Sequence, residues 1–164
     1  MTTAQTIALD FDDETKNTRR LLERVPLDDA HRAYRPHEKS MPLDRLATHI
    51  AELPSWPKMV LEAEVFELQP GFKPRIAATT EELLQIFDQS VKAGRAALDA
   101  ATEEDMKKDW SFRFGDRIAF TSVRKRVVRS FINHLVHHRA QLGVYLRLND
   151  IAVPGMYGPS ADEM

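Results

Sequence analysis

Apolar residues recur along this chain at helical spacing in four stretches, and those stretches set the expected architecture. Ile7, Phe11, Leu21, Leu22 and Val25 mark a first helix from Ile7 to Val25, with the acidic run from Asp10 to Glu14 near its start and Pro26 closing it. Leu43, Leu46, Ala47, Ile50 and Leu53 fall on one arc at about 100° per residue, predicting a second helix over Leu43 to Leu53. Pro54 and Pro57 then break or kink it, with helix expected to resume through Trp56 to Phe66. Thr79 or Thr80 caps a third helix carrying Leu83, Leu84, Phe87, Val91 and Leu98. Between Lys108 and Val123 the period changes: Trp110, Phe112 and Phe114, then Gly115-Asp116, then Ile118 and Phe120 predict a short β-hairpin. A fourth helix runs from about Val123 to Leu148, and the Pro- and Gly-containing tail from Val153 is expected to be irregular. The expected fold class is therefore all-α: an up-and-down four-helix core, one domain over residues 1–164, with a small hairpin before the last helix.

Three histidines stand out against this pattern. His134 and His138 are separated by about 40° around the helix axis and about 6 Å along it, so both rings reach toward one point. The inward arc of the fourth helix, set by Val128, Phe131, Leu135 and Leu142, contains His138 and has His134 on its edge. His137 points about 100° further out and reads as a flanking residue. His49 occupies the matching edge position on the second helix. A three-imidazole set with an open position suits zinc, nickel or ferrous iron and is a catalytic type of site. Spacing alone leaves the alternative open that these are boundary residues satisfied by hydrogen bonds. His31 and His37 fall in the polar loop after the first helix.

Composition narrows the remaining choices. Among 164 residues there is no cysteine, which excludes disulfides, thiolate ligands and cysteine nucleophiles and is compatible with a cytoplasmic location. The net charge of −2, with mixed signs along the chain, excludes the concentrated basic surface that nucleic acid binding requires. No apolar run is long enough to span a membrane, and the first residues lack the basic and apolar pattern of a signal peptide. One segment, Arg113 to Arg129, leans basic and reads either as a solvated hairpin and helix start or as an anion-binding rim.

The run His134-Leu135-Val136-His137-His138-Arg139-Ala140-Gln141 resembles the HxxHHRxQ signature of the DinB-like metalloprotein superfamily. Pro36 to Leu43, Leu46 to Trp56 and the ending from Val153 to Asp162 are similar to one branch of it. Ala140 departs from the glycine many members carry there. The resemblance implies a four-helix bundle of down-up-up-down topology, a homodimer, and a divalent metal held by His49, His134 and His138. It also implies a metal-dependent enzyme of transferase or hydrolase type that acts on a small-molecule substrate, with a low-molecular-weight thiol as a further cofactor in some relatives. The alternative is a non-catalytic metal-binding stress or dimerisation module. Glu52, about 60° around the second helix from His49, is the candidate acid or base. Arg139 is a candidate for orienting ligands or binding a substrate anion, and Gln141 for orienting an imidazole. A homodimer is also expected because Trp56, Met59, Val60 and Phe66 lack an obvious place inside four helices, unless the hairpin or the tail folds back over them.

Overall fold

The computed structural model describes all of residues 1–164. Four helical segments form the body: α1 (Thr3–Leu22), α2 (Leu43–Glu52) continued by a 3-10 turn (Leu53–Ser55) and α3 (Trp56–Glu62), then α4 (Thr80–Ala100), and α6 (Arg124–Arg147) after the short α5 (Glu103–Lys107). Helix α1 starts earlier than the apolar spacing suggests. Thr2 caps it in a reciprocal pair with Gln5, which satisfies two backbone N–H groups before the first core residue. Thr79 caps α4 by accepting from the Glu82 N–H at 3.1 Å.

Each of α1 and α2 packs against both α4 and α6, so α1 and α2 lie diagonally across the bundle. Asp12 pairs with Arg95 and Arg19 with Asp88, so α1 and α4 run in opposite directions. Asp10 pairs with Arg129 and Glu14 with Arg139, so α1 and α6 run in the same direction. Helix α2 is antiparallel to α6, with Met41 at Tyr145 and His49 at His134. The bundle tightens where the 3-10 turn meets α4. A Cβ on Gly94 would stand 1.9 Å from the Pro54 carbonyl oxygen, so only glycine admits this approach.

The all-α expectation is corrected by a three-stranded mixed sheet at one end of the bundle. Strand β1 (Val65–Leu68) pairs in parallel with β2 (Asp109–Phe114), which pairs antiparallel with β3 (Arg117–Val123). The β2–β3 hairpin lies where Trp110 to Phe120 alternate, and Gly115 turns it with φ of 52°. Strand β1 falls at the end of the stretch expected to continue as helix. Helix α3 stops at Glu62, Ala63 is extended, and Val65 to Leu68 take up a partner lying far downstream in the sequence. No local period announces a strand whose partner is separated from it by α4 and α5. The register of β2 and β3 shifts between Phe112 and Arg113, a bulge that bends the hairpin.

The buried residues form two clusters. The larger gathers Leu21, Leu22, Leu43, Leu46, Ile50, Leu83, Phe87, Leu142 and their neighbours. The smaller joins Ile7, Phe11, Val60, Met106, Trp110, Val128 and Ile132 to the sheet. This second cluster takes up three of the four residues that sequence left without a place. Val60 is fully buried, Met59 and Phe66 pack against the cluster, and Phe66 stacks on Phe112 with ring centres 5.8 Å apart. Trp56 packs against the larger cluster. The hairpin therefore folds back within the chain, and those four residues no longer argue for a dimer. Exposed apolar side chains lie elsewhere, on the sheet at Phe114, Ile118 and Phe120, on α6 at Val144 and just past its end at Leu148.

Candidate metal centre

Helix α2 brings His49 to the middle of the bundle, opposite His134 and His138 one turn apart on α6. The three rings meet: ring centres are 5.3 Å apart for His49 and His134, 4.8 Å for His49 and His138, and 4.6 Å for His134 and His138. One ligating nitrogen from each ring lies within 4.8 Å of the others. The Nε2 atoms of His49 and His134 are 3.3 Å apart. Two nitrogens bound at about 2.05 Å in a tetrahedral sphere stand about 3.3 Å apart, so this pair already has the spacing an ion would impose.

Neighbouring side chains set the proton positions. The Gln141 amide oxygen lies 2.7 Å from His138 Nδ1, which holds a proton on Nδ1 and leaves Nε2 free to ligate. The Gln141 amide nitrogen lies 3.2 Å from His137 Nε2, so His137 supports the site from outside it. Trp56 walls the other side, its ring centre 5.7 Å from His49 and 5.4 Å from His134, and Phe131 stands 4.8 Å behind it. Burial pushes the His49 imidazole down to about 4, assisted by the positive charges that His138, Arg45 and His134 present. Burial likewise pushes His134 down to about 4, with His138 and His137 adding to it. His138 is lowered by burial, against the pull of Gln141. All three are therefore neutral at pH 7, which is the ligating form. Neutral nitrogens converging in a half-buried position fit a divalent borderline ion such as zinc, nickel or ferrous iron.

Glu52 follows His49 by three residues and is half-buried, and desolvation raises its carboxyl against the lowering effect of Arg45 and Arg75. Arg139 lies apart from the triad. It is buried on the side of α6 that faces α1, where it ion-pairs with Glu14 at 2.6 Å and donates to the Glu14 carbonyl at 3.0 Å. It also donates to Thr18 at 3.3 Å and to the Tyr157 hydroxyl at 2.6 Å. Sequence offered Arg139 for orienting ligands or binding a substrate anion; its acceptors are on α1 and in the tail. Half of the basic segment is taken up within the chain, while Arg117, Lys125 and Arg126 form no ion pair. Arg113 pairs with Glu67, Arg124 donates to the Ala63 carbonyl, and Arg129 pairs with Asp10. His31 pairs with Asp28, and His37 accepts from the Lys39 N–H; neither belongs to the triad. The residue that sequence reading passed over is Arg45. Its signal was available, since it precedes His49 by four positions and so shares its face of α2.

Five surface concavities are lined by residues other than the triad. One of about 370 Å³ lies along α6 and the tail at Gly143 and Val153, and one of about 520 Å³ lies beside Phe72 and Phe114.

Comparison with known proteins agrees with this arrangement. The DinB family profile matches residues 1–164, and the chain belongs to the DinB family. Its fold is that of a DinB-like protein from Bacillus cereus, with a TM-score of 0.71 at 19% identity, covering 93% of this chain and 97% of the other. A DinB-like protein from Bacillus subtilis gives 0.69 at 20% identity, covering 92% and 96%. No curated protein matches the sequence. No helix is long and apolar enough to cross a membrane.

Proposed function

We infer that this DinB family protein binds one divalent metal ion through His49, His134 and His138, and that it is a metal-dependent enzyme of transferase or hydrolase type acting on a small molecule. The observation that carries the reading is the convergence of three imidazoles that burial keeps neutral, from two helices, with one nitrogen of each within 4.8 Å of the others. An ion held there would act as a Lewis acid and lower the pKa of a bound water or thiol. Glu52 is the group placed to take or return a proton, because its half-buried carboxyl is raised toward the working range. Gln141 fixes the His138 ring, and Trp56 with Phe131 limits water on one side. A low-molecular-weight thiol is a compatible second cofactor, since the chain has no cysteine of its own. The absence of the triad from the five concavities described above favours a second reading, a metal-binding module without turnover. We also carry a homodimer as a proposal, with the exposed Phe114, Ile118 and Phe120 as apolar surface to be covered.

Metal content of purified variants tests the reading. His138→Ala should lose most of the bound ion, while His137→Ala should keep it. Retention by His138→Ala, or loss by His137→Ala alone, would assign the ligands wrongly.

A further inference from the structure

Three interior side-chain nitrogens have no hydrogen-bond partner: Arg45 Nη1, Trp110 Nε1 and Arg124 Nε. Two have an ordinary explanation. Trp110 is a neutral ring packed among Phe112, Phe120 and Phe131, and Arg124 already places Nη2 on the Ala63 carbonyl at 2.9 Å. Arg45 has none. It forms no ion pair; the adjacent Asp44 binds Arg32 and accepts the Arg45 backbone N–H instead. Its neighbour in charge, Arg75, is paired with Glu82. A guanidinium half-buried with a nitrogen unpartnered is costly unless something supplies the acceptor.

The position of Arg45 says where that acceptor belongs. Arg45, His49 and Glu52 follow one another at i, i+4 and i+7, and the first and last differ by only about 20° around α2. The histidine ligand thus stands between a free cation and a carboxyl on one stripe. Helical phase sets Arg45 on the stripe of His49 and Glu52, and its positive charge acts on His49, His138 and Glu52 alike. With a divalent ion on three neutral imidazoles, Arg45 adds a further positive charge, and Glu52 is the one acid on the stripe. Such a site attracts an anion.

We propose that Arg45 is the anion receptor of the histidine site, and that the small molecule bound there carries a carboxylate held on the Arg45 guanidinium while a neighbouring atom of the same molecule faces the three imidazoles. This rests on the metal reading above. A carboxylate fits better than a phosphate. Phosphate sites gather several donors, whereas one unpaired guanidinium is present, and Glu52 on the same stripe repels a dianion.

The test uses the full chain loaded with Co²⁺, whose visible ligand-field bands report both uptake of the ion and changes in its surroundings. Calorimetry measures Co²⁺ affinity of the wild type, Arg45→Gln and Arg45→Lys; acetate and then inorganic phosphate are titrated into each loaded protein. Acetate should change the wild-type bands saturably, and Arg45→Gln should weaken that response roughly tenfold or more while taking up Co²⁺ at least as tightly, because a positive charge beside the ion is gone. Arg45→Lys keeps the charge without the planar fork and should fall between, and it carries the test should Arg45→Gln fail to fold. Normal Co²⁺ uptake with equal acetate affinity in the variants overturns the role of Arg45 and leaves the metal reading standing. Tighter binding of phosphate than of acetate overturns the carboxylate. No Co²⁺ uptake by the wild type overturns the metal reading, and this inference with it.

Discussion

Helix α6 carries two polar constellations on opposite sides, and they are built on opposite principles. Toward α1, Arg139 has every demand met: the Glu14 carboxylate, the Glu14 carbonyl, Thr18 and the Tyr157 hydroxyl surround it. Toward α2, three imidazoles aim lone pairs at one another, and Arg45 leaves a nitrogen without an acceptor. One network is closed and serves the fold. The other is open, and it is on its unmet valences that the proposed ligands rest. Burial and charge alone would not separate them, since the fully buried Arg139 is the more conspicuous residue. The count of satisfied bonds does.

Breaking the closed network should give the largest effect on folding. Arg139→Met takes the counter-charge from the Glu14 carboxylate, leaving it only the Tyr157 hydroxyl, and should cost about 3–5 kcal/mol, read by urea denaturation, while metal affinity stays near that of the wild type. A large loss of metal with little loss of stability would show that the two sides are not independent.

Emptying the open network should cost somewhat less. At free metal a hundredfold above its Kd, the ion contributes about 2.7 kcal/mol, so a chelator should lower Tm of the wild type and leave His49→Ala unmoved. The pH dependence has a definite sign. His49 and His134 sit near 4 in the folded chain, against about 6.5 when unfolded. Between these values the unfolded chain binds more protons, so the metal-free protein should lose stability as pH falls from about 6.5 toward 4. Metal binding, which needs the neutral rings, should persist through pH 6 and disappear near pH 4. A metal-free Tm that rises on acidification through this window would contradict the burial of the two rings.

Gln141 offers the finest cut. Gln141→Leu removes the partner of His138 Nδ1 without touching a ligand and should weaken metal affinity roughly ten- to a hundredfold, with little change in metal-free stability. Unchanged affinity would mean that packing alone orients the ring.

The contrast between the two sides of α6 also separates what the sequence discloses from what it hides. Helical phase put His134 and His138 on one side and His137 outside, and alternating aromatics put the hairpin around Gly115-Asp116, because each depends on residues a few positions apart. It did not disclose β1, whose partner β2 lies beyond two helices, and so the class was read as all-α. It could not say which way Arg139 turns, since that depends on Glu14 and Tyr157 from the two ends of the chain. Arg45 shows a different shortfall. Its spacing to His49 was plain, but an exposed helical arginine and one lacking an acceptor look alike until the neighbours are assembled.

The parallel pairing of Val65 with Ser111 also has a temporal consequence. The β2–β3 hairpin closes over a two-residue turn and can form early, whereas β1 must wait until α4 and α5 have brought β2 back to it. Until then Phe66 lacks Phe112 to stack on, and the apolar ground behind Trp56 and Phe131 lies open to water. The Phe66–Phe112 stack should then be among the last contacts to form, and an ion that binds only the finished arrangement would act as a late clamp on folding rather than as its seed.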